Sequence, residues 1–419
     1  MMAALNHQLR TEIYSILEHV AKSKNIENYQ INPESFKLQL GDGFVCLFFK
    51  AALTDKDTNE IIEVAIKKAS NRPLDYNNIF GNEIAFYSKL IPALNNLQGH
   101  LPAVDRFNNI PDYYTSSREP QKEFIALENL SPQGYFLYDK SKYWDQKHLE
   151  KIFTIYGKFH ALSFVLRRIH PELYNNIISG CKDICAQLTV EGSDLMEAAM
   201  VDAVTALDMT SKTYDIAKEL VGNVKNTLLE ALRYNGDFRC ITHGDCWSNN
   251  MLFKYGDNGE ILDVKLIDFQ LMTERTPIHD LSYFFYSGAS KEDMDNLEFY
   301  LQIYYESFSK HVLGLKQNPE EVLPFITLKK EWKENGIIGV MLSIHLWQLK
   351  LLPKENFIEN LREKNIEKKV SDQETREHFV KILKEVRKSE DYQKRTKDIL
   401  VHACEYGVVK KEKIVKVYQ

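Results

Sequence analysis

Residues 241–253, ITHGDCWSNNMLF, set Asp245 and Asn250 five positions apart around a tryptophan, just before an apolar run. Eighteen positions beyond Asn250, a second apolar stretch ends on Asp268 in LIDFQ. Upstream, VAIKKA carries Lys67 inside an aliphatic strand pattern, and Glu83 follows sixteen positions later in a helical one. Phosphoryl transfer from ATP uses groups of these types. Magnesium bridging the phosphates needs a carboxylate and an Asn to hold it, and a second carboxylate must accept the proton of the acceptor hydroxyl. A lysine meets the remaining phosphates and an acidic partner orients it.

Each residue also has a plainer reading. Asp245 and Asn250 are ordinary turn formers in an isolated loop, and a lone Lys67 would be a surface lysine. Their occurrence together, in order, favours chemistry, and the inward alternation around Ile66 points Lys67 toward a cleft. His243 reads as a loop brace and Trp247 as packing, with acceptor contact as its other use. Asp280 in IHDLSYFF reads as the N-cap of the following helix and a brace for the 241–250 loop. His160, on an apolar helical stripe, reads as a hydrogen-bonded core histidine. The stretch GIIGVMLSIHLWQLKLLP, 336–353, reads as core, and offers apolar surface for an acceptor cleft as the alternative.

The elements that must position these groups fall into two sets. Ile13, Ile16, Leu17, Val20 and Ala21 share one face of an opening helix. FKLQL, FVCLFFKAAL and EIIEVAIKKA, separated by GDG and TDKDTNE, predict a three-stranded antiparallel meander. FGNEIAFYSKLIPAL predicts a helix ended by Pro92, and EFIALENL, 123–130, a further strand. Helical periods then dominate: Ile152, Ile155, Tyr156, Phe159 and Leu162 lie on one face. The exception is a hairpin, NNMLFKY and EILDVKLIDFQ around GDNG, with a polar loop on either side. A sheet-rich unit over 1–130 and a helical unit over 131–419 follow, an α+β organisation in two lobes.

The 419 residues, 44% hydrophobic and 27% charged, have globular proportions. A net charge of -6 disfavours general nucleic-acid binding. The mixed charge run from Lys354 to Asp398 reads as solvated helix faces. The N-terminus turns polar by Asn6, too early for a signal peptide, and no stretch reaches the length of a membrane span. Six cysteines in so long a chain make no disulfide framework, and Cys181/Cys185 lacks the second half of a zinc site. A reducing cytoplasm is the expected location.

The Asp245–Asn250 spacing equals that of the protein-kinase H-R-D-x-x-x-x-N loop, and Lys67 matches the V-A-I-K strand. A protein kinase is disfavoured, because Gly244 stands where the arginine would be and no A-P-E follows DFQ. The chain instead resembles the insect ecdysteroid kinase-like proteins, relatives of choline kinases and aminoglycoside phosphotransferases that share the protein-kinase-like fold. HGDCWSNNMLF is similar to that family's H-G-D-x-W-x-x-N-x-x-F motif, NEIAFYSKLIPAL to its E-x-x-F-Y helix, and IALENL to its L-E-D-L hinge. GKFHALSF, IDFQ and HDLSYFF match further segments.

The resemblance implies a bilobal α+β protein-kinase-like fold and a monomeric, ATP- and Mg2+-dependent kinase. Its acceptor would be a small-molecule alcohol, an ecdysteroid first. It implies Asp245 as catalytic base, with Asn250 beside it, and Asn250 and Asp268 as magnesium ligands. Lys67 would bind ATP phosphates, Glu83 would orient Lys67, and Glu128, Asn129 and Leu130 would form the adenine hinge. Position 129 is Asn where the family usually has Asp, and LGDGFVCLF is not G-x-G-x-x-G, so a tight turn at Gly41 to Gly43 would cover the phosphates. The competing expectations are a choline-, ethanolamine- or aminoglycoside-type enzyme, and a non-catalytic scaffold that sequesters ligand alcohols.

Overall fold

The alternating segments of the N-terminal part form a six-stranded antiparallel sheet in the computed structural model, which describes residues 7–39, 46–69, 76–353 and 372–416. Its strands are β1 (Tyr29–Ile31), β2 (Lys37–Gln39), β3 (Cys46–Asp55), β4 (Ile61–Ala69), β5 (Tyr113–Ser117) and β6 (Phe124–Glu128). They run in the order β1-β3-β4-β6-β5, with β2 also on β3, so the expected meander is β2, β3, β4. The GDG turn of that meander lies outside the described residues.

Side chains alternate across a strand. Val64 and Ile66 of β4 are buried with Phe49 and Leu53 against Ile13, Ile16, Leu17 and Val20 of the opening helix His7–Ser23. That leaves Lys67 on the opposite face, where Phe48 and Ile125 are its neighbours in register.

The helix Tyr76–Ala85 continues through a wider turn, Phe86–Leu90, into Ile91–Gln98. Pro92 does not end this run, contrary to expectation. It sits in the first turn of Ile91–Gln98, directly after the wider turn, and the backbone stays helical through it.

In the larger part, the helix expected near 151–166 extends over Gln146–Ile169, with Asp145 capping its start by accepting from the His148 amide at 3.0 Å. It lies along Leu297–Gly314, and Gly157 sets the approach: a Cβ there would come within 2.8 Å of the Tyr304 carbonyl oxygen. The helix Ile337–Lys350 is buried nearly all round, so this apolar stretch is core. The charge run after 371 is helical, with Lys394 and Asp398 paired at 3.0 Å; 354–371 lie outside the described residues.

Two short ladders determine where the polar loops go. The hairpin is β9 (Met251–Tyr255) with β10 (Ile261–Leu266), extended by β7 (Tyr135–Leu137). On its other side β8 (Cys240–Thr242) pairs with β11 (Thr273–Arg275). The loop from β8 to β9 carries Asp245, and the loop from β10 to β11 carries Asp268. Because β9 pairs with β10 and β8 with β11, the two loops are clamped side by side, and the Ile267 amide donates to the Asn250 carbonyl at 3.0 Å. Among the described residues no helix is long and apolar enough to cross a membrane.

Burial depresses the imidazoles of His279, His311, His345 and His402 to about 4. An unfolded histidine titrates near 6.5. Between those values the unfolded chain takes up protons that the folded chain refuses, so stability is full above about pH 6.5 and falls as pH drops toward 4. The unfolding midpoint is expected to decline over that interval, with net proton uptake on unfolding near pH 5 measured calorimetrically in two buffers. A midpoint independent of pH there would contradict these four burials.

Candidate active site

Lys67 reaches across from β4 to the larger part. Its ammonium lies 2.8 Å from Glu83 Oε2, 2.6 Å from Asp268 Oδ1 and 3.4 Å from Gln270 Oε1. Glu83, on Tyr76–Ala85, is 2% exposed, whereas the Asp268 carboxylate keeps 29% exposure. Burial works against the lysine's charge, but the Asp268 and Glu83 carboxylates outweigh it and hold the amine above its ordinary range. Burial pushes the Glu83 carboxyl up, against the pull of Lys67.

Asp268 has φ 65 and ψ 65, a left-handed conformation uncommon outside glycine. The next residue, Phe269, stacks on Phe86 with centroids 3.4 Å apart and lies 4.3 Å from the His243 ring. The Asn82 carboxamide donates to the carbonyls of Gln270 (3.0 Å), Met272 (3.2 Å) and Lys182 (2.8 Å). The helix that carries Glu83 is therefore fastened to the segment that carries Asp268.

The Asp245 loop is held from behind. Asp280 accepts from the His243 amide at 2.7 Å and the Gly244 amide at 2.9 Å, and lies 3.1 Å from His160 Nε2. Burial alone would raise the Asp280 carboxyl; the bond from His160 and the neighbouring imidazoles outweigh it and bring it down to about 2. The loop brace is present, but Asp280 is not the N-cap: its helix runs Ile278–Tyr286 from Pro277, which places Asp280 in the first turn. Gly244 has φ 86, and a Cβ there would meet the Leu271 carbonyl oxygen at 2.4 Å, so this position takes no side chain. His160 is fully buried against Tyr304 as well, and His243 is buried with its Nε2 3.0 Å from the Ile267 carbonyl.

Asp245 itself carries its donors unequally. Oδ2 accepts from Asn250 Nδ2 at 2.7 Å and from Trp247 Nε1 at 3.3 Å; Oδ1 accepts from the Tyr283 hydroxyl at 3.4 Å. Burial and the charge of Asp268 raise its carboxyl to about 6 against the pull of those three donors. Trp247 is thus both packed and hydrogen-bonded to the carboxylate.

In the segment expected to form the hinge, β6 ends on Glu128, whose carboxylate accepts from the Asp112 amide and Gln133 Nε2 at 3.2 and 2.5 Å. The Asn129 side chain donates to Glu63 Oε2 at 3.0 Å, and the Leu130 carbonyl accepts from the Gln133 amide at 3.1 Å. Side chains at 128 and 129 are engaged within their own neighbourhood, and their amides donate to the Asp112 and Glu63 carbonyls at 2.8 and 3.1 Å. Gly41 and Gly43 lie outside the described residues. A surface cavity of about 360 Å³ at Ser23, Lys24, Asp112, Tyr113 and Tyr114 includes none of these groups.

The structure therefore joins Lys67, Glu83 and Asp268 in one ion-pair network and Asp245 and Asn250 by a hydrogen bond, with Asp245 and Asp268 on adjacent loops. Gln270, Asn82 and Tyr283 were not singled out from the sequence. Tyr283 lies in the quoted HDLSYFF, three positions after Asp280 and hence on the same helix face. As a donor set for magnesium, the Asp268 carboxylate and the Asn250 carboxamide fit: both offer hard oxygen, and magnesium takes few protein ligands beside water and phosphate.

The sequence model of the ecdysteroid kinase-like family matches residues 41–317, more than half of the chain. Among solved structures, the GDP complex of wild-type aminoglycoside 2'-phosphotransferase-IIIa aligns at a TM-score of 0.41 and 12% identity, covering 89% of this chain and 98% of that one. The GDP complex of a point mutant of that enzyme aligns at 0.40 and 13% identity, covering 89% and 96%. A search of curated proteins finds no match.

Proposed function

The chain belongs to the ecdysteroid kinase-like family, and from that premise we propose that it moves the γ-phosphoryl group of ATP to a hydroxyl of a bulky, steroid-like alcohol. It is a small-molecule phosphotransferase with a hydroxyl acceptor. The observation that carries the reading further is the Lys67 ammonium between Glu83 and Asp268, at 2.8 and 2.6 Å. Such an amine, fixed by one carboxylate and next to a second, is arranged to meet phosphate oxygens.

In this reading the lobes divide as 1–130 and 131–419, with 128–130 as the hinge that meets adenine. Asn250 and Asp268 hold Mg2+, which when bound supplies positive charge against the phosphoryl oxygens. Asp245 takes the proton of the acceptor hydroxyl. The freed oxygen forms its bond to the γ-phosphorus as the bond to the β,γ-bridging oxygen breaks, and ADP leaves with that electron pair. A carboxyl raised to about 6 is mostly ionised at neutral pH and is more basic than an ordinary aspartate. The aromatic pair beside it, Trp247 and Tyr283, supports a bulky acceptor. Ile337–Lys350 drops out as cleft lining, being core.

The test is a panel of ecdysone, choline, ethanolamine and an aminoglycoside with magnesium-ATP, read as ADP release and as the phosphate ester by mass. Ester formation on ecdysone is expected. Turnover of choline or the aminoglycoside in its place would remove the steroid preference, and calorimetry showing no magnesium-dependent ATP binding would remove the assigned site.

A further inference from the structure

We infer that Tyr283 is an acceptor-recognition residue, its hydroxyl donating to the same substrate oxygen that gives its proton to Asp245 Oδ1. The inference rests on the reading of Asp245 as base, and adds which carboxylate oxygen acts and what stands beside it. Oδ2 is already held by two N–H donors, Asn250 Nδ2 at 2.7 Å and Trp247 Nε1 at 3.3 Å. Oδ1 receives only the Tyr283 hydroxyl among the described residues, at 3.4 Å. That separation is well beyond the roughly 2.7–2.8 Å usual for O–H···O, so the contact is loose and an entering oxygen competes with it readily.

An alcohol suits this arrangement because it is donor and acceptor at once. Its O–H points to Oδ1, one lone pair takes the Tyr283 hydroxyl, and the other remains for the phosphorus. The same alcohol oxygen can thus bond both groups while keeping a lone pair for the phosphorus.

The position of Tyr283 is not left to a mobile loop. It stands one turn beyond Asp280 on Ile278–Tyr286, and Asp280 holds the amides of His243 and Gly244. Helix and loop are therefore tied together through Asp280, which sets the spacing of Tyr283 from Asp245. Tyr283 is 7% exposed, and burial with the adjacent Asp245 charge pushes its phenol up, which keeps it a donor.

The experiment compares full-length wild type with Tyr283→Phe, using ecdysone as probe. Binding of ecdysone without nucleotide is measured by calorimetry, and KM for ecdysone and for ATP by initial rates. Loss of one hydrogen bond predicts that ecdysone Kd and KM rise about 5- to 10-fold, with KM for ATP unchanged. Unchanged ecdysone Kd and KM in an active protein overturn the inference, as does a loss confined to kcat, which a purely structural tyrosine would give. A wild type that binds magnesium-ATP without phosphorylating ecdysone overturns instead the reading beneath it. Thermal unfolding checks the variant's fold; Tyr283→Met, flexible enough to fill the same space, replaces it with the same expected outcomes if the phenylalanine does not fold.

Discussion

Asp245→Asn is expected to lower kcat about 10²- to 10⁴-fold, the usual contribution of a positioned base, while magnesium-ATP affinity stays within about three-fold. The substitution keeps the shape of the site. Asn250 Nδ2 and Trp247 Nε1, at 2.7 and 3.3 Å from Oδ2, would face the new amide oxygen and retain their bonds. The amide nitrogen would then replace Oδ1, opposite Tyr283, and could not take a proton from an alcohol.

Stability should move the other way. The ionised carboxylate is opposed by burial and by Asp268, which is why the group is raised to about 6. A carboxyl with a folded value above its ordinary 3.8 subtracts stability as pH rises from about 4 to 6, and an amide relieves that penalty at neutral pH. The unfolding temperature of Asp245→Asn is therefore expected to match or exceed wild type. Single-turnover rates and thermal scans on the same preparation read both effects. A variant that loses stability and activity together would make Asp245 a structural carboxylate.

Much of this site was legible because its signals are local. Val64 and Ile66 must share a face, so the period-2 rule alone turns Lys67 away from the opening helix. GDNG fixed the hairpin, and a hairpin places its two flanking loops at the same end. The unforeseen residues depend on contacts that no local pattern encodes. Asn82 bonds to Lys182 and Gln270, 100 and 188 positions away, and β8 and β11 are three-residue strands too short to show alternation. Tyr283 sat unremarked within an apolar run, where an aromatic reads as core until its hydroxyl is seen to have a partner. Ile337–Lys350, apolar on every side, had no face to distinguish core from cleft. Pro92 lies six residues before the helix end at Gln98 and Asp280 three residues after the cap at Pro277, because both residue types also occur inside a first helical turn and so do not mark a boundary by themselves.

Lys67→Met should separate the lysine's two duties. Toward nucleotide, it removes the amine placed among Glu83, Asp268 and Gln270, and kcat/KM for ATP is expected to fall about 10²- to 10³-fold, as when one preorganised donor to a developing charge is deleted. Toward the fold, it strands Glu83, a 2% exposed carboxylate whose cation at 2.8 Å is gone. Breaking a buried pair by removing one partner destabilises by about 3–5 kcal/mol. Neutralising the survivor should undo the second effect alone: Lys67→Met with Glu83→Gln replaces a buried uncompensated charge by an amide and is expected to recover most of the urea midpoint, while activity stays at the level of the single variant. Recovery of both together would mean that the lysine serves the fold only, and that ATP phosphates are met elsewhere. Recovery of neither would mean that Glu83 is held by groups other than Lys67, against the separation observed.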